Sequence, residues 1–407
     1  MRILHTSDWH LGQKLLFNDR EQEHQLALDW LRQVIAEQEV DVLVIAGDIF
    51  DIGNPPNYAR RMYYGFLTGL LPTTCRHVVI TGGNHDSPSM LEAPQQLLYA
   101  LNMHVVGSAP EEKSSVLLEL KNEKGKLEAV VAAVPFLRDR DLRFAVAGET
   151  GSERISRIQE GIRQYYREMG SLAEAYGKAN VPVLATGHLY AKGAQVSAKQ
   201  DNIYIGDKEN IDASEFPAVF DYVALGHLHR PQTVGGRDTV RYSGSLIPLS
   251  FSETRDDKGV FLIDFDKKDL REITFLPAPT FRRLKTIEGD LEKVKQSLRR
   301  FSAHKERHLQ PWVEVIVETE EIIPQLDVLL REFTADMDLD LVKIRLQRSR
   351  YASLDQQEAT ETNLYDMSAL EVFRKKCDSY GSPPEEMEQL ESTFLELQDW
   401  MNSRPEE

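Results

Sequence analysis

The sequence has almost no cysteine. Cys75 and Cys377 are the only two in 407 residues, which excludes a disulfide framework and any cysteine-rich zinc module. No apolar run approaches the roughly 20 residues needed to cross a bilayer. The opening stretch, Met1-Arg2-Ile3-Leu4-His5-Thr6-Ser7-Asp8, meets charge too soon for a secretory signal, so a cytoplasmic chain with no membrane contact is expected. Excess positive charge is also missing: 48 basic residues stand against 65 acidic, a formal charge of −17. Such a chain does not coat nucleic acid or anionic membrane by bulk charge. Neither a Gly-x-Ser-x-Gly elbow nor a Gly-x-x-x-x-Gly-Lys-Ser/Thr loop occurs. Serine-hydrolase chemistry and ATP hydrolysis by this chain are thereby disfavoured.

What is present is ordinary globular material, 41% hydrophobic and 28% charged, in a length that holds two or three domains. Short β-branched runs at Ile3-Leu4, Val42 to Ala46, Val78 to Ile80, Val183 to Ala185 and Tyr222 to Leu225 predict buried strands. Leu26, Trp30, Leu31, Val34 and Ile35 predict one apolar helix face, and Ile155, Ile158, Ile162, Tyr165 and Met169 another. Residues 116–120 with 127–134, and 259–265 with 272–276, read as hairpins. The class is α/β with mixed sheets. Pro277-Ala278-Pro279 is the best linker signal. After it, a strand–helix–strand–helix–strand pattern over 280–346 predicts a small capping domain, and 347–365 reads as a tether.

The last segment predicts a helical hairpin. Ser368-Ala369-Leu370-Glu371 is a capping box, Gly381 a stop, and Ser382-Pro383-Pro384-Glu385 a second start. Met387, Leu390, Phe394, Leu397 and Met401 then form a narrow stripe of the a/d kind. It fits a partner coiled coil and self-packing about equally. From Asp366 onward, 11 acidic residues face 4 basic ones, so this end does not address a polyanion.

Five apolar runs end in polar clusters: Asp8-Trp9-His10, Gly47-Asp48, Gly82-Gly83-Asn84-His85-Asp86, Gly187-His188 and Gly226-His227-Leu228-His229. Carboxyl ends of strands are where α/β folds gather ligand sites. Asp8, His10, Asp48, Asn84, His188, His227 and His229 offer oxygen and imidazole nitrogen without thiolate. That donor set suits a pair of divalent ions, Mn²⁺, Fe²⁺ or Zn²⁺. Two ions about 3.5–4 Å apart need a bridging carboxylate, hold a bridging hydroxide, and clamp an in-line substitution at phosphorus. Each cluster alone is weak, and Asp86 or Ser87 reads equally well as a helix cap. The ordered joint occurrence carries the reading. His5, His24, His77, His104, His304 and His308 lie outside these clusters and are read as structural.

In this order the motifs resemble the calcineurin-like metallophosphoesterase superfamily. A closer similarity is to the SbcCD-type nucleases, relatives of the Mre-type DNA break-repair nucleases. Residues 1–12, Gly47 to Asp51, Pro55 to Arg60, Pro135 to Arg138, Ile203 to Gly206 and Arg241 to Phe251 carry it. The resemblance implies a sandwich of two mixed sheets flanked by helices in a nuclease domain at 1–276, a capping domain at 280–346, and a docking hairpin at 366–402. It implies one ion on Asp8, His10 and His229, another on Asn84, His188 and His227, with Asp48 bridging and His85 as general acid. Two divalent ions are implied, Mn²⁺ first, with Mg²⁺, Fe²⁺ and Zn²⁺ as alternatives. The implied activities are 3′→5′ exonuclease on double-stranded ends and endonuclease on single strands and hairpins, serving recombination, replication and repair. The implied partner is an SbcC-type ATPase with a long coiled coil. Two copies of each subunit would assemble, with Pro55 to Leu71 as the candidate contact helix and an internal core helix as its alternative. The rival is a metallophosphoesterase acting on nucleotides or phosphoproteins.

Overall fold

The β-branched runs become the inner strands of two facing sheets. The computed structural model describes residues 1–142, 151–192, 194, 211–303, 309–319, 323–347, 373, 390, 393 and 394. In the first sheet, Arg2–Thr6, Val42–Ala46, His77–Thr81 and Met103–Val106 run parallel, and Gly259–Asp266 and Asp269–Pro277 add an antiparallel hairpin beside Arg2–Thr6. In the second, Leu127–Ala132, Val183–His188, Tyr222–Gly226 and Arg237–Tyr242 are parallel, flanked by antiparallel Leu117–Lys121 and Gln232–Val234. Both predicted hairpins are among these pairs.

Alternation along one strand explains the layering. Val42 and Val44 join Ile3, Val79, Val131, Ala185 and Val223 between the sheets. Leu43 and Ile45 turn the other way, onto Leu28, Leu31, Ile35, Tyr63 and Phe66 of the covering helices. Strands buried on both faces read as continuous apolar runs, which makes them visible in the sequence. Helix Glu21–Glu37 buries Ala27, Leu28, Leu31, Val34 and Ile35, whereas Leu26, expected on the core face, is 36% exposed. At about 100° per residue, Leu26 and Leu28 lie on opposite sides, and the Leu28–Leu31–Ile35 row wins. Helix Asn57–Gly69 puts Met62, Tyr63 and Phe66 into its own core, leaving Tyr58 and Tyr64 half-buried. Helix Gly151–Ala173 buries Ile162, Tyr165 and Met169.

After Pro277 the chain stays tethered, because the Ala278 N–H donates to the Lys258 carbonyl at 2.7 Å. Strands Arg282–Gly289, Leu309–Glu318 and Asp340–Gln347 form a parallel sheet covered by helices Leu291–Ser302 and Leu326–Thr334. Asp290 caps the first of these by accepting the Lys293 N–H. Trp312 and Leu284 pack on Leu15 and Phe251, and the Arg282 guanidinium sits 4.1 Å over the Trp312 ring. Most of the tether and helical hairpin lies outside the described residues; within the latter, Phe373 and Phe394 stack at 4.4 Å. Among the described residues no helix is long and apolar enough to cross a membrane.

His5 ties the two sheets together. Its Nε2 donates to the Leu225 carbonyl at 3.2 Å and its Nδ1 accepts from Tyr222 Oη at 2.9 Å. Burial pushes its pKa down to about 3, so the folded protein holds it neutral. Below the unfolded value near 6.5 the unfolded chain gains a proton that the folded chain refuses. Stability therefore falls as pH drops through that window, by about 1.4 kcal/mol per pH unit. Urea unfolding of metal-free protein at pH 7.5, 6 and 5 should show stability falling with pH, and His5→Gln should lessen the fall, leaving the part due to His24 and His104, which burial also holds neutral.

Candidate metal centre

Parallel strands deliver their carboxyl ends to one edge, and the five polar clusters meet there. Asp8, His10, Asp48 and His188 are all buried. The backbone there is unusual: Asp8, His10 and Asp48 have φ of 52°, 47° and 50°, and His227 has φ 101°. Non-glycine residues held at positive φ cost about 1–3 kcal/mol each and concentrate at functional sites. The strain is fixed by loop-to-loop bonds. Asp8 N–H donates to the Gly47 carbonyl at 3.0 Å, and His10 N–H to the Asp48 carbonyl at 3.0 Å. Gly83 is required for approach, since a Cβ there would lie 2.1 Å from Asp48 Oδ1.

Asp48 is central. Its Oδ2 lies 3.5 Å from His10 Nε2 and 3.2 Å from His188 Nε2, and its Oδ1 accepts the His85 N–H at 2.9 Å. On one side, donor atoms of Asp8, His10 and His229 fall within 4.8 Å of one another. On the other, Asn84 Oδ1 is 3.1 Å from both His188 Nε2 and His227 Nδ1. Asp8, Asp48 and His188 also form a tight group, and Asp8 Oδ1 accepts the His227 N–H at 2.9 Å. All seven residues that the sequence marks as donors thus converge.

The donor chemistry fits divalent cations. His10 Nε2 is buried and makes no hydrogen bond, a costly condition for a polar atom unless something binds it. Burial alone would lower the pKa of His10, but its bond to Asp51 and the charges of Asp48, Asp51 and Asp8 overcome that and push it up to about 9. His188 is likewise opposed by burial, yet Asp48 and Asp8 raise it to about 9. Asp48, penalised by burial, is still held low by His188 and His10. A pocket that makes two buried imidazoles strong bases is a pocket of negative potential, and a proton on each stands in for a cation.

His85 takes a separate place. Its Nδ1 is 2.7 Å from the Asp51 carbonyl, so Nδ1–H is the donor and Nε2 remains available. It also shares a cluster with His10 and Asp51. Asp86, which the sequence offers as a possible helix cap, does something else: its carboxylate accepts the N–H groups of Ile49, Phe50 and Gly83. It staples the Asp48 loop to the Asn84 loop, and the helix at Pro88–Glu92 has no side-chain cap.

Three supporting residues are not evident from the sequence. Asp51 Oδ1 is 3.2 Å from His10 Nδ1, fixing which ring nitrogen faces the centre. Its position at the end of Gly47-Asp48-Ile49-Phe50-Asp51 is the available signal. Glu253 and Lys258 support His229 from the segment after the second sheet, and no local pattern marks them.

The calcineurin-like phosphoesterase family matches residues 1–231, and the type 5 capsule protein repressor C-terminal domain matches 280–380. The SbcD polypeptide of nuclease SbcCD from Escherichia coli is 34% identical over 397 residues, 97% of each chain. The chain belongs to the SbcD nucleases within the calcineurin-like phosphoesterases. In class, it is a metal-dependent nuclease. The SbcD nuclease of Rhodobacter capsulatus is 40% identical over 273 residues, 65% of this chain and 66% of the relative. That of Bacillus subtilis is 35% identical over 267 residues, with 65% and 66% covered. A dimetal phosphatase from Danio rerio aligns with a TM-score of 0.40 and 12% identity over 69% of this chain and 99% of that one.

Proposed function

We propose that the chain is a Mn²⁺-dependent DNA phosphodiesterase that degrades double-stranded ends from 3′ to 5′ and cuts single strands and hairpins. It would act with an SbcC-type ATPase in a two-plus-two cytoplasmic complex, docked through its 366–402 segment, which follows the capping domain at 280–346 in sequence. The observation that carries this reading is the position of Asp48 Oδ2, between His10 Nε2 at 3.5 Å and His188 Nε2 at 3.2 Å. One carboxylate so placed would serve two cation sites at once. Asp8, His10 and His229 would hold one ion, Asn84, His188 and His227 the other. When bound, the pair supplies an activated water and neutralises charge on the phosphate.

The protein's own residues do the rest. The Asp51 carbonyl fixes the His85 tautomer, so Nε2 can hold a proton for the departing sugar oxygen. Asp86 holds the His85 and Asp48 loops in one register, which keeps acid and metal ligands at a set spacing. Burial of Asp8, Asp48 and His188 excludes bulk water and strengthens each charge interaction.

Purified protein with its ATPase partner, plasmid DNA, a hairpin oligonucleotide and a small phosphodiester test the reading in one panel. Hairpin opening and loss of linear duplex should require Mn²⁺ and disappear with EDTA. Turnover confined to the small phosphodiester would decide for the nucleotide- or phosphoprotein-directed rival.

A further inference from the structure

We propose that Glu253 and Lys258 form a positioning pair for His229, setting the affinity of one of the two cation sites and leaving the other unchanged. The proposal rests on the ligand assignment above. Glu253 Oε1 is 3.2 Å from His229 Nδ1. Its other oxygen accepts the Leu249 N–H at 3.1 Å and the Lys258 ammonium at 2.7 Å. Lys258 spends its remaining two N–H groups on the His229 carbonyl at 2.7 Å and on Ser245 Oγ at 2.9 Å. All three ammonium donors are thereby satisfied. The pair grips His229 twice, by its ring through Glu253 and by its backbone through Lys258.

Both partners are buried, Glu253 at 3% and Lys258 at 7% exposure. A buried ion pair is poor value as a stabiliser, because the desolvation of two charges offsets most of their attraction. What this pair does supply is a fixed tautomer. With Nδ1–H donated to Glu253, the lone pair of His229 is on Nε2, the nitrogen left for the group that contains Asp8 and His10. A carboxylate behind a ligating imidazole orients the ring and raises its basicity, and its loss typically weakens metal binding about 10–100-fold.

The supporting segment is itself anchored. Gln13 Nε2 donates to the Leu249 carbonyl at 2.8 Å, and Arg20 Nη1 donates to the Pro248 carbonyl at 2.6 Å and to Gln13 Oε1 at 3.0 Å. Glu253 is thus held from the loop that follows His10, which keeps two ligands of the same site in one bonded frame. None of these bonds reaches Asn84, His188 or His227, so the effect is confined to one ion.

The test is Mn²⁺ titration of Glu253→Gln by calorimetry, beside the ring-nitrogen NMR signals of His229 in metal-free protein. One site should weaken about 10–100-fold with the other within a few-fold of wild type, and the His229 signals should lose the Nδ1–H pattern. Glu253→Met with Lys258→Met removes both buried charges; it should fold and show the same one-site weakening, which separates positioning from stability. Wild-type affinity at both sites in either variant would overturn the proposal. So would equal weakening of both sites with a lower melting temperature of the metal-free protein, the mark of a merely structural pair. If wild type itself binds fewer than two ions, the ligand assignment fails instead, and the two failures are told apart.

Discussion

Asp48→Asn is expected to abolish cleavage, lowering turnover on the order of 10³-fold or more, and to leave fewer than two ions bound per chain. Asparagine keeps the oxygen that accepts the His85 N–H at 2.9 Å but removes the charge that faces both His10 and His188. Transition-state stabilisation by bound metal is worth several kcal/mol, and each 1.36 kcal/mol in the barrier is tenfold in rate, so losing the carboxylate that would hold both ions costs activity steeply. Metal-free stability should fall as well. His10 and His188 hold the buried Asp48 carboxylate ionised, and removing one partner of a buried charge cluster leaves the others uncompensated, so the melting temperature should drop. Gel assays with Mn²⁺, elemental analysis and a thermal melt in EDTA check all three parts. Two bound ions with more than a tenth of wild-type activity would contradict the role given to Asp48.

His85→Gln separates chemistry from binding. The variant should retain both ions yet cleave about 10²–10⁴-fold more slowly, the range for loss of a general acid. The reason is geometric. His85 Nδ1 is committed to the Asp51 carbonyl at 2.7 Å, and its ring centroid lies 4.9 Å from that of His10, beside the ligand set. Because His85 also clusters with His10 and Asp51, metal content is the deciding readout. Loss of an ion on substitution would make His85 a ligand. Single-turnover cleavage of a hairpin, with metal analysis on the same preparation, gives both numbers.

The centre is legible in the sequence because each cluster follows a strand buried on both faces. Val42–Ala46 leads to Asp48, and Tyr222–Gly226 leads to His227, so runs of apolar residues point at the chemistry. Parallel pairing then brings those ends together, a consequence of topology that spacing implies but does not measure. Leu26 departs from its expected place because a helix with apolar residues at Leu26, Leu28 and Leu31 offers two overlapping stripes, and packing chooses between them. Asp86 resembles a cap in the sequence because the Ile49 and Phe50 N–H groups it accepts lie 37 and 36 residues away. Glu253 and Lys258 are invisible for the same reason: their partner His229 is reached through the tertiary fold. Positive φ at Asp8, His10, Asp48 and His227 leaves no trace either, because none is glycine.

Two cations sharing one carboxylate are the core of the proposed chemistry. Crystals soaked in Mn²⁺ and measured at the manganese absorption edge test that directly. Two anomalous peaks about 3.5–4 Å apart, one beside Asp8, His10 and His229, the other beside Asn84, His188 and His227, with Asp48 between them, are the expected result. A single peak, or two peaks with Asp48 touching only one, would contradict it.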